Sequence, residues 1–456
     1  MNPKISWCSG LALSVLLVSV ALTACGYKST TYSRASTAVA LLRFNATNGT
    51  PDTSLGGSGA VTTDVSPSRD DIAFAVVRQP VDGKIIAVGT SFAAPASIVV
   101  IRYNADGTRD STFGINGNGI TVTSLPSADA TAFAATLQAD GKLLVAGRSC
   151  ASSGASGFLL LRYHTNANLI TGTPGTLDTA GFNSPLGYVV TPIPSGIKTT
   201  ANAVAVSGTN ILLAGHSKIG SRFVIALAQY TSSGVLDSTF GSAGIVTTPV
   251  GSLDADAGSL AVQPLDSKIV AAGLAGNAFT NVWDVALLRY NTDGTLDLPF
   301  GGNNTGMAIT DIGSSSNYAN AVALQADGKI VVVGNAFVNS FAGTSDIAVL
   351  RYNADGSLDT TGFGNPNGYV TTNVGAFDNG FAVAVQSDNK IVVAGNADAG
   401  MGDRLALLRY NADGGRDSGF GTNGIVTRSA SGPSIIAGAF AVVLQPGGEI
   451  VVAGYD

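Results

Sequence analysis

The sequence predicts an all-β fold: a seven-bladed β-propeller of four-stranded blades, with the ring closed by pairing of the N-terminal strand with the last blade. Three observations predict it. A motif of roughly 60 residues recurs seven times, and each copy offers four short apolar runs divided by turn residues. The last copy also stops one strand short of the strand with which the first copy begins.

The motif Leu-Arg-Tyr-Asn-Ala-Asp-Gly carries its aromatic at Phe44, Tyr103, Tyr163, Tyr230, Tyr290, Tyr352 and Tyr410, at intervals of 59, 60, 67, 60, 62 and 58 residues. An Asp follows each one, at Asp52, Asp110, Asp178, Asp237, Asp297, Asp359 and Asp417. Next comes a Gly-led run such as Gly368-Tyr369-Val370-Thr371-Thr372, then one typified by Ala319-Asn320-Ala321-Val322-Ala323-Leu324-Gln325. A tight Asp327-Gly328-Lys329 turn leads into Ile330-Val331-Val332-Val333-Gly334. Asp-Gly between two apolar runs signals a hairpin, because a type I′ turn needs positive φ at both central residues. The runs are apolar at nearly every position rather than alternating, which fits strands covered on both faces by neighbouring blades.

The ends supply the closure. The chain stops at Gly454-Tyr455-Asp456, before a Leu-Arg-Tyr strand, and Ala38-Val39-Ala40-Leu41-Leu42-Arg43-Phe44 is that missing strand. Pairing the two removes the open sheet edges of the ring. A parallel β-helix would need shorter, more uniform coils.

Composition agrees. Glu449 is the only Glu among 30 acidic residues, so Asp, a turn and cap residue, makes up the other 29. A net charge of −6 with no basic run excludes a nucleic-acid-binding face.

Residues 1–24 read as an export signal, with Lys4 ahead of an apolar stretch from Gly10 to Ala21 that is too short to span a bilayer. It ends in Leu22-Thr23-Ala24-Cys25-Gly26, which resembles the lipobox of bacterial lipoproteins. The resemblance implies lipidation of Cys25 and anchoring in a membrane of the cell envelope; Gly26, in place of Asp, fits the outer membrane. Residues 25–35 would then be a tether reaching roughly 36–40 Å, and 36–456 the propeller. Cys8 leaves with the signal and Cys25 carries lipid, so Cys150 is expected to stand alone, without an intramolecular disulfide.

Units reading Leu-Arg-Tyr-Asn-Ala-Asp-Gly…Phe-Gly…Ala-Val-Ala-Leu-Gln-Ala-Asp-Gly-Lys-Ile-Val-Val resemble the delta-60 repeat, a family of extracytoplasmic bacterial propellers. The likeness runs from about Ser36 to Asp456 and implies the fold, but no activity. The third unit departs most: it spans 67 residues, has Gln229 where others have Arg, and lacks the Asp-Gly-Lys turn.

Recurrent Arg and Asp, as in Arg351 and Asp359, read as one structural ion pair per blade, since a residue needed once for chemistry does not recur in every blade. Asp70, Asp129 and Asp254 share one register ahead of the Ala-Val-Ala strand, with Asp378 one position later. Such residues commonly cap turns; were the strand innermost, their carboxylates would crowd a channel rim and could hold Ca²⁺, the one cofactor the sequence suggests. His164 and His216 are the two histidines, and both fall in or beside the third unit. With Lys218 and Arg222 they are candidate ligand contacts, on a face that would include the extra segment Thr165–Pro185, because sequences break their own rules at functional sites. Catalytic motifs are not evident: Gly215-His216-Ser217-Lys218-Ile219 lacks the second Gly of a nucleophile elbow, and no unique Asp pair stands out for glycoside hydrolysis.

Three functions follow as expectations. The first is a lipid-anchored, monomeric binding or scaffold module for a protein or glycan. The second is a hydrolase or lyase with its site in the channel. The third is a structural envelope protein.

Overall fold

The computed structural model describes residues 36–456 apart from 68, 127, 167–171, 314, 340–343, 399–402 and 430–436. Residues 1–35, which include Cys25 and were read as an export signal and a tether, therefore lie outside the described residues. Those described form seven four-stranded antiparallel sheets and no α-helix. Blades 1 to 6 take their strands in sequence order from 71–123, 128–191, 196–248, 255–310, 317–372 and 378–428. In each, the first strand lies innermost, packed against the first strands of both neighbours.

Blade 7 closes the ring. Its two inner strands, Gly438–Leu444 and Ile450–Tyr455, come from the C-terminal end, and its outer two, Val39–Phe44 and Ala60–Thr63, from the N-terminal end. Val39 registers with Tyr455 and Phe44 with Ile450. All six residues of Val39–Phe44 are buried.

Blades meet through apolar layers, such as Leu144, Leu160, Leu213 and Tyr230 between blades 2 and 3. The repeated Tyr adds a hydrogen bond across six of the seven seams. Tyr163 donates to Thr123 Oγ1 at 2.8 Å, and Tyr410 to Thr372 Oγ1 at 2.8 Å, in each case the last Thr of the preceding blade. The closing seam alone departs, with Phe44 for Tyr and Arg428 for the preceding Thr.

One backbone feature shapes the channel. In every blade the first strand is bulged opposite a glycine of the second: Gly89, Gly147, Gly215, Gly273, Gly334, Gly395 and Gly454. A Cβ on any of these glycines would stand 1.7–2.0 Å from a carbonyl oxygen of the first strand, so no larger residue fits. The bulge leaves one residue per blade unpaired and turns it inward.

Cys150, buried in the second strand of blade 2, is disulfide-bonded, with its partner outside the described residues. The expectation of a lone thiol, which concerned a chain without Cys8 and with Cys25 lipidated, is therefore not met in the full chain, which carries both.

Candidate functional site in the central channel

The seven bulge residues are Phe74, Phe133, Asn202, Gly258, Asn320, Phe381 and Phe440, in blades 1, 2, 3, 4, 5, 6 and 7. All seven line one cavity of about 570 Å³ on the ring axis, within the range of about 300–1,000 Å³ usual for ligand pockets. Alanine follows the bulge in six blades and Ser259 in blade 4, and these small side chains keep the channel open.

The wall has two unlike halves. Blades 6, 7, 1 and 2 present a continuous arc of phenylalanines. Their ring centroids are 4.8 Å apart for Phe381–Phe440, 5.2 Å for Phe440–Phe74 and 5.5 Å for Phe74–Phe133. Blades 3, 4 and 5 present amides and an acid. Asn202 Nδ2 donates to Asp256 Oδ1 and to the Ala257 carbonyl, both at 3.0 Å. Asn320 Nδ2 donates to the Gly380 carbonyl at 2.9 Å.

His216 belongs to this polar half. It follows the bulge glycine Gly215, is 1% exposed, and its Nδ1 lies 2.9 Å from Asp256 Oδ1 across the seam between blades 3 and 4. Phe223 meets the ring edge-on at 5.0 Å. Nε2 is buried without a hydrogen-bond partner. Asn335 holds the same position in blade 5 and likewise has its Nδ2 buried and unpartnered. An Asp beside Nδ1 fixes the imidazole orientation and leaves Nε2 as the unpaired ring nitrogen.

The other expected residues are dispersed. Lys218 and Arg222 flank the hairpin tip of blade 3, beside Phe223; Lys218 Nζ lies 5.9 Å over that ring and Arg222 donates to the Gly251 carbonyl at 3.3 Å. His164 sits at the opposite end of the strands, just past Tyr163, with Nε2 3.5 Å from Asp178 Oδ1. Burial holds its pKa below the ordinary histidine value. The extra segment leaves blade 2 at that same end, where the Thr165 carbonyl accepts the Arg102 guanidinium and Asn166 Oδ1 accepts Gln79 Nε2 at 3.1 Å. The expectation of one face holding both histidines and the segment is therefore not met: antiparallel strands carry them to opposite ends of the ring.

Asp70, Asp129 and Asp254 each accept a backbone N–H from the neighbouring blade, from Thr37 at 3.0 Å, Ala96 at 2.9 Å and Phe223 at 2.8 Å. Asp378 is fully buried and accepts Val374 and Gly375 N–H at 2.6 and 3.0 Å; burial pushes its pKa up to about 6. These four carboxylates latch separate blades and do not converge. Among the described residues no group of three or more His, Cys, Asp or Glu is placed to hold a metal.

At the other end of the strands, Arg351 Nε donates to Asp359 Oδ2 at 2.9 Å, and Lys329 of the Asp-Gly-Lys turn reaches the same oxygen at 2.6 Å. The guanidinium also donates to the Ala412 carbonyl of the next blade and lies 4.9 Å over Phe363. Blade 3 rebuilds this cluster without cations: Gln229 Nε2 and Asn210 Nδ2 donate to Asp237 Oδ2 at 2.9 and 3.1 Å.

Sequence reasoning found His216 but missed Asn202, Asp256, Asn320 and the phenylalanine arc. The signal was present: one position per repeat reads Phe, Phe, Asn, Gly, Asn, Phe, Phe while its two neighbours are Ala throughout but for Ser259 and Gly380.

Fold and channel together define a seven-bladed β-propeller with a sector-differentiated axial cavity. Residues 82–113, 138–169, 210–240, 265–300, 325–361 and 386–420 match the family model described as "Domain of unknown function (DUF5122) beta-propeller", one match in each of blades 1 to 6. No curated protein matches the chain. Among solved structures it is similar to the extracellular domain of BT4673 from B. thetaiotaomicron (11% identity, TM-score 0.42), covering 84% of this chain and 38% of that one. It is also similar to a protein of unknown function from Dyadobacter fermentans (13%, TM-score 0.39, 84% and 94%) and to the periplasmic gluconolactonase of Pseudomonas aeruginosa (15%, TM-score 0.40, 79% and 86%). The chain thus spans well under half of the BT4673 domain. None of these likenesses bears on what the channel takes.

Proposed function

We propose that this protein is an extracytoplasmic, lipid-anchored binding module whose ligand sits in the central channel. The observation that carries this reading is the split wall: four phenylalanines on one side, and Asn202, Asp256, His216 and Asn320 on the other, all on one cavity. A channel that served only packing would repeat one residue type at the bulge, as the ring repeats its Tyr and its glycine. Fold alone does not name a function, so the argument rests on the site.

Two variants separate the channel from the loops. Asn320→Trp would fill the channel; replacing Thr165–Pro185 with the short turn of the fifth unit would alter only the far end. A small molecule retained from envelope extract, released by denaturation and weighed by mass spectrometry, is expected with the wild type and the loop variant and lost with Asn320→Trp. The reverse pattern refutes a channel site. For the anchor, Cys25→Ser is expected to abolish palmitate labelling; persistent label refutes it.

The His216–Asp256 pair is the observation that favours a channel hydrolase as the second reading. It supplies a base and its orienting acid, yet no hydroxyl is bonded to Nε2 among the described residues.

A further inference from the structure

We propose that the channel wall at blade 4 is a subsite for the ring of a neutral sugar. The inference rests on the channel being the ligand site and names what that site takes. At the bulge of blade 4, Gly258 stands where every other blade carries Phe or Asn, and a Cβ there would come 2.9 Å from the Ala319 carbonyl oxygen. The wall therefore presents no side chain at this one sector. In the second strand of the same blade, Leu274 takes the position that His216 and Asn335 hold in the flanking blades, giving an apolar floor.

The flanks are polar and unsatisfied. His216 Nε2 on one side and Asn335 Nδ2 on the other lack partners, on side chains 1% and 2% exposed that both line the cavity. A buried polar group left unpaired costs roughly 1–3 kcal/mol, so two of them on residues that line one sector of the cavity mark a place where a ligand would complete the hydrogen bonding. Phe223 and Trp283 are the second residues of the third strands of blades 3 and 4 and line the same sector.

The chemistry of the lining selects the ligand class. No Lys or Arg is among the described residues lining the cavity, so nothing there attracts an anion. Asn335 Nδ2 is a donor and needs an acceptor, which an ammonium group lacks. Asp254 and Asp256 also line the cavity; Asp254 already accepts the Phe223 N–H, and Asp256 accepts Asn202 Nδ2 and lies 2.9 Å from His216 Nδ1. A hydroxyl both donates and accepts, and so satisfies Asn335 Nδ2 and also His216 Nε2 in either tautomer. A sugar ring carries such hydroxyls around its edge and C–H groups on its faces, which suit the leucine floor and the aromatic rings.

The chain contains two tryptophans, Trp7 and Trp283. In the full chain carrying Trp7→Phe, Trp283 alone reports on this sector. Its emission is followed while glucose, galactose, mannose and N-acetylglucosamine, free and as β-linked disaccharides, are titrated in. A saturable change with at least one sugar is expected. Asn335→Ala and His216→Ala should each weaken it about tenfold, while Asn396→Ala, at the same position in blade 6 and outside the cavity lining, leaves it unchanged; circular-dichroism melting checks that all three fold. Failure of every sugar while Asn320→Trp still strips the extracted molecule sinks the sugar subsite and leaves the channel reading intact. A response to tetramethylammonium or inorganic phosphate in place of sugar, or affinity indifferent to Asn335→Ala, also overturns it. If the extracted molecule too is indifferent to Asn320→Trp, both readings fall.

Discussion

The two ends of the strands follow different rules. Where Arg351, Asp359 and Lys329 meet, blades 1, 2, 4, 5 and 6 repeat one cluster. Blade 7 keeps the Arg43–Asp52 pair at 2.7 Å, and blade 3 substitutes neutral amides around its Asp. In the channel, by contrast, no two adjacent blades from 2 to 6 share a bulge residue. Repetition prevails where the ring is held together, and divergence where a ligand would be met. The backbone beneath the divergent position is nonetheless the most constant part of the molecule, because the bulge and its glycine recur in all seven blades. Varied side chains are displayed on an invariant frame.

That contrast can be broken most severely at the closure. Deleting residues 36–49 removes Val39, Leu41, Leu42 and Phe44, each at most 8% exposed. At about 1.5–3 kcal/mol per buried side chain, the loss rivals the usual 5–15 kcal/mol of total stability. Aggregation in place of monomeric elution is expected, read by size-exclusion chromatography; unchanged melting and elution would mean the ring is not closed by this strand. Next in size, Gly334→Ala should cost upwards of about 3 kcal/mol in urea unfolding, since its Cβ would stand 1.7 Å from the Tyr318 carbonyl oxygen. Gly419→Ala, whose Cβ would meet only Asp417 Oδ1 at 3.4 Å, is the control.

Arg351→Ala should cost about 2–3 kcal/mol. Lys329 still faces Asp359 and keeps the loss below that of a wholly unpaired charge. Adding Asp359→Ala should recover part of it; simple additivity would show that the two do not act as a pair. Burial alone would raise the Asp359 pKa, but hydrogen bonds from Lys329, the Gly362 N–H and Arg351 hold it below the ordinary value. Its contribution is present above the unfolded pKa near 3.8 and is lost as pH falls through the lowered folded value.

Asp378 has the opposite sign and the smallest effect. Its folded pKa, pushed up to about 6, exceeds the unfolded 3.8, so stability declines as pH rises between them. Asp378→Asn should raise stability at pH 7 by about 1–2 kcal/mol and flatten that slope in melting experiments. Asn317 occupies the same register in blade 5, so the fold already accommodates an amide there. A variant less stable at pH 7 would show that the charge is needed.

Blade number, strand number and closure were legible because each is written repeatedly in period and turn chemistry, down to the Ala38–Phe44 strand missing from the other end. The site was legible only in part. His216 stood out as a rare residue, but so did His164, and rarity alone could not tell that antiparallel strands send them to opposite ends. Asp256 was hidden among 30 acids. It matters because the bulge between Ala257 and Ser259 sets it beside His216, a contact between blades that no local pattern records. Asp71 was missed for the same reason: its register with Asp378 emerges only when the bulges are aligned.

The closing strand also decides how the ring bears load. Val39–Phe44 lies between two antiparallel partners, Ile450–Tyr455 and Ala60–Thr63, and its Val39 end leads toward the N-terminal segment. A pull applied through that segment runs along the strand axis, so it shears both ladders together instead of peeling their hydrogen bonds one by one. Tension through that segment would therefore be shared by the first and last parts of the chain at once, so the strand that fastens the ring also resists extraction.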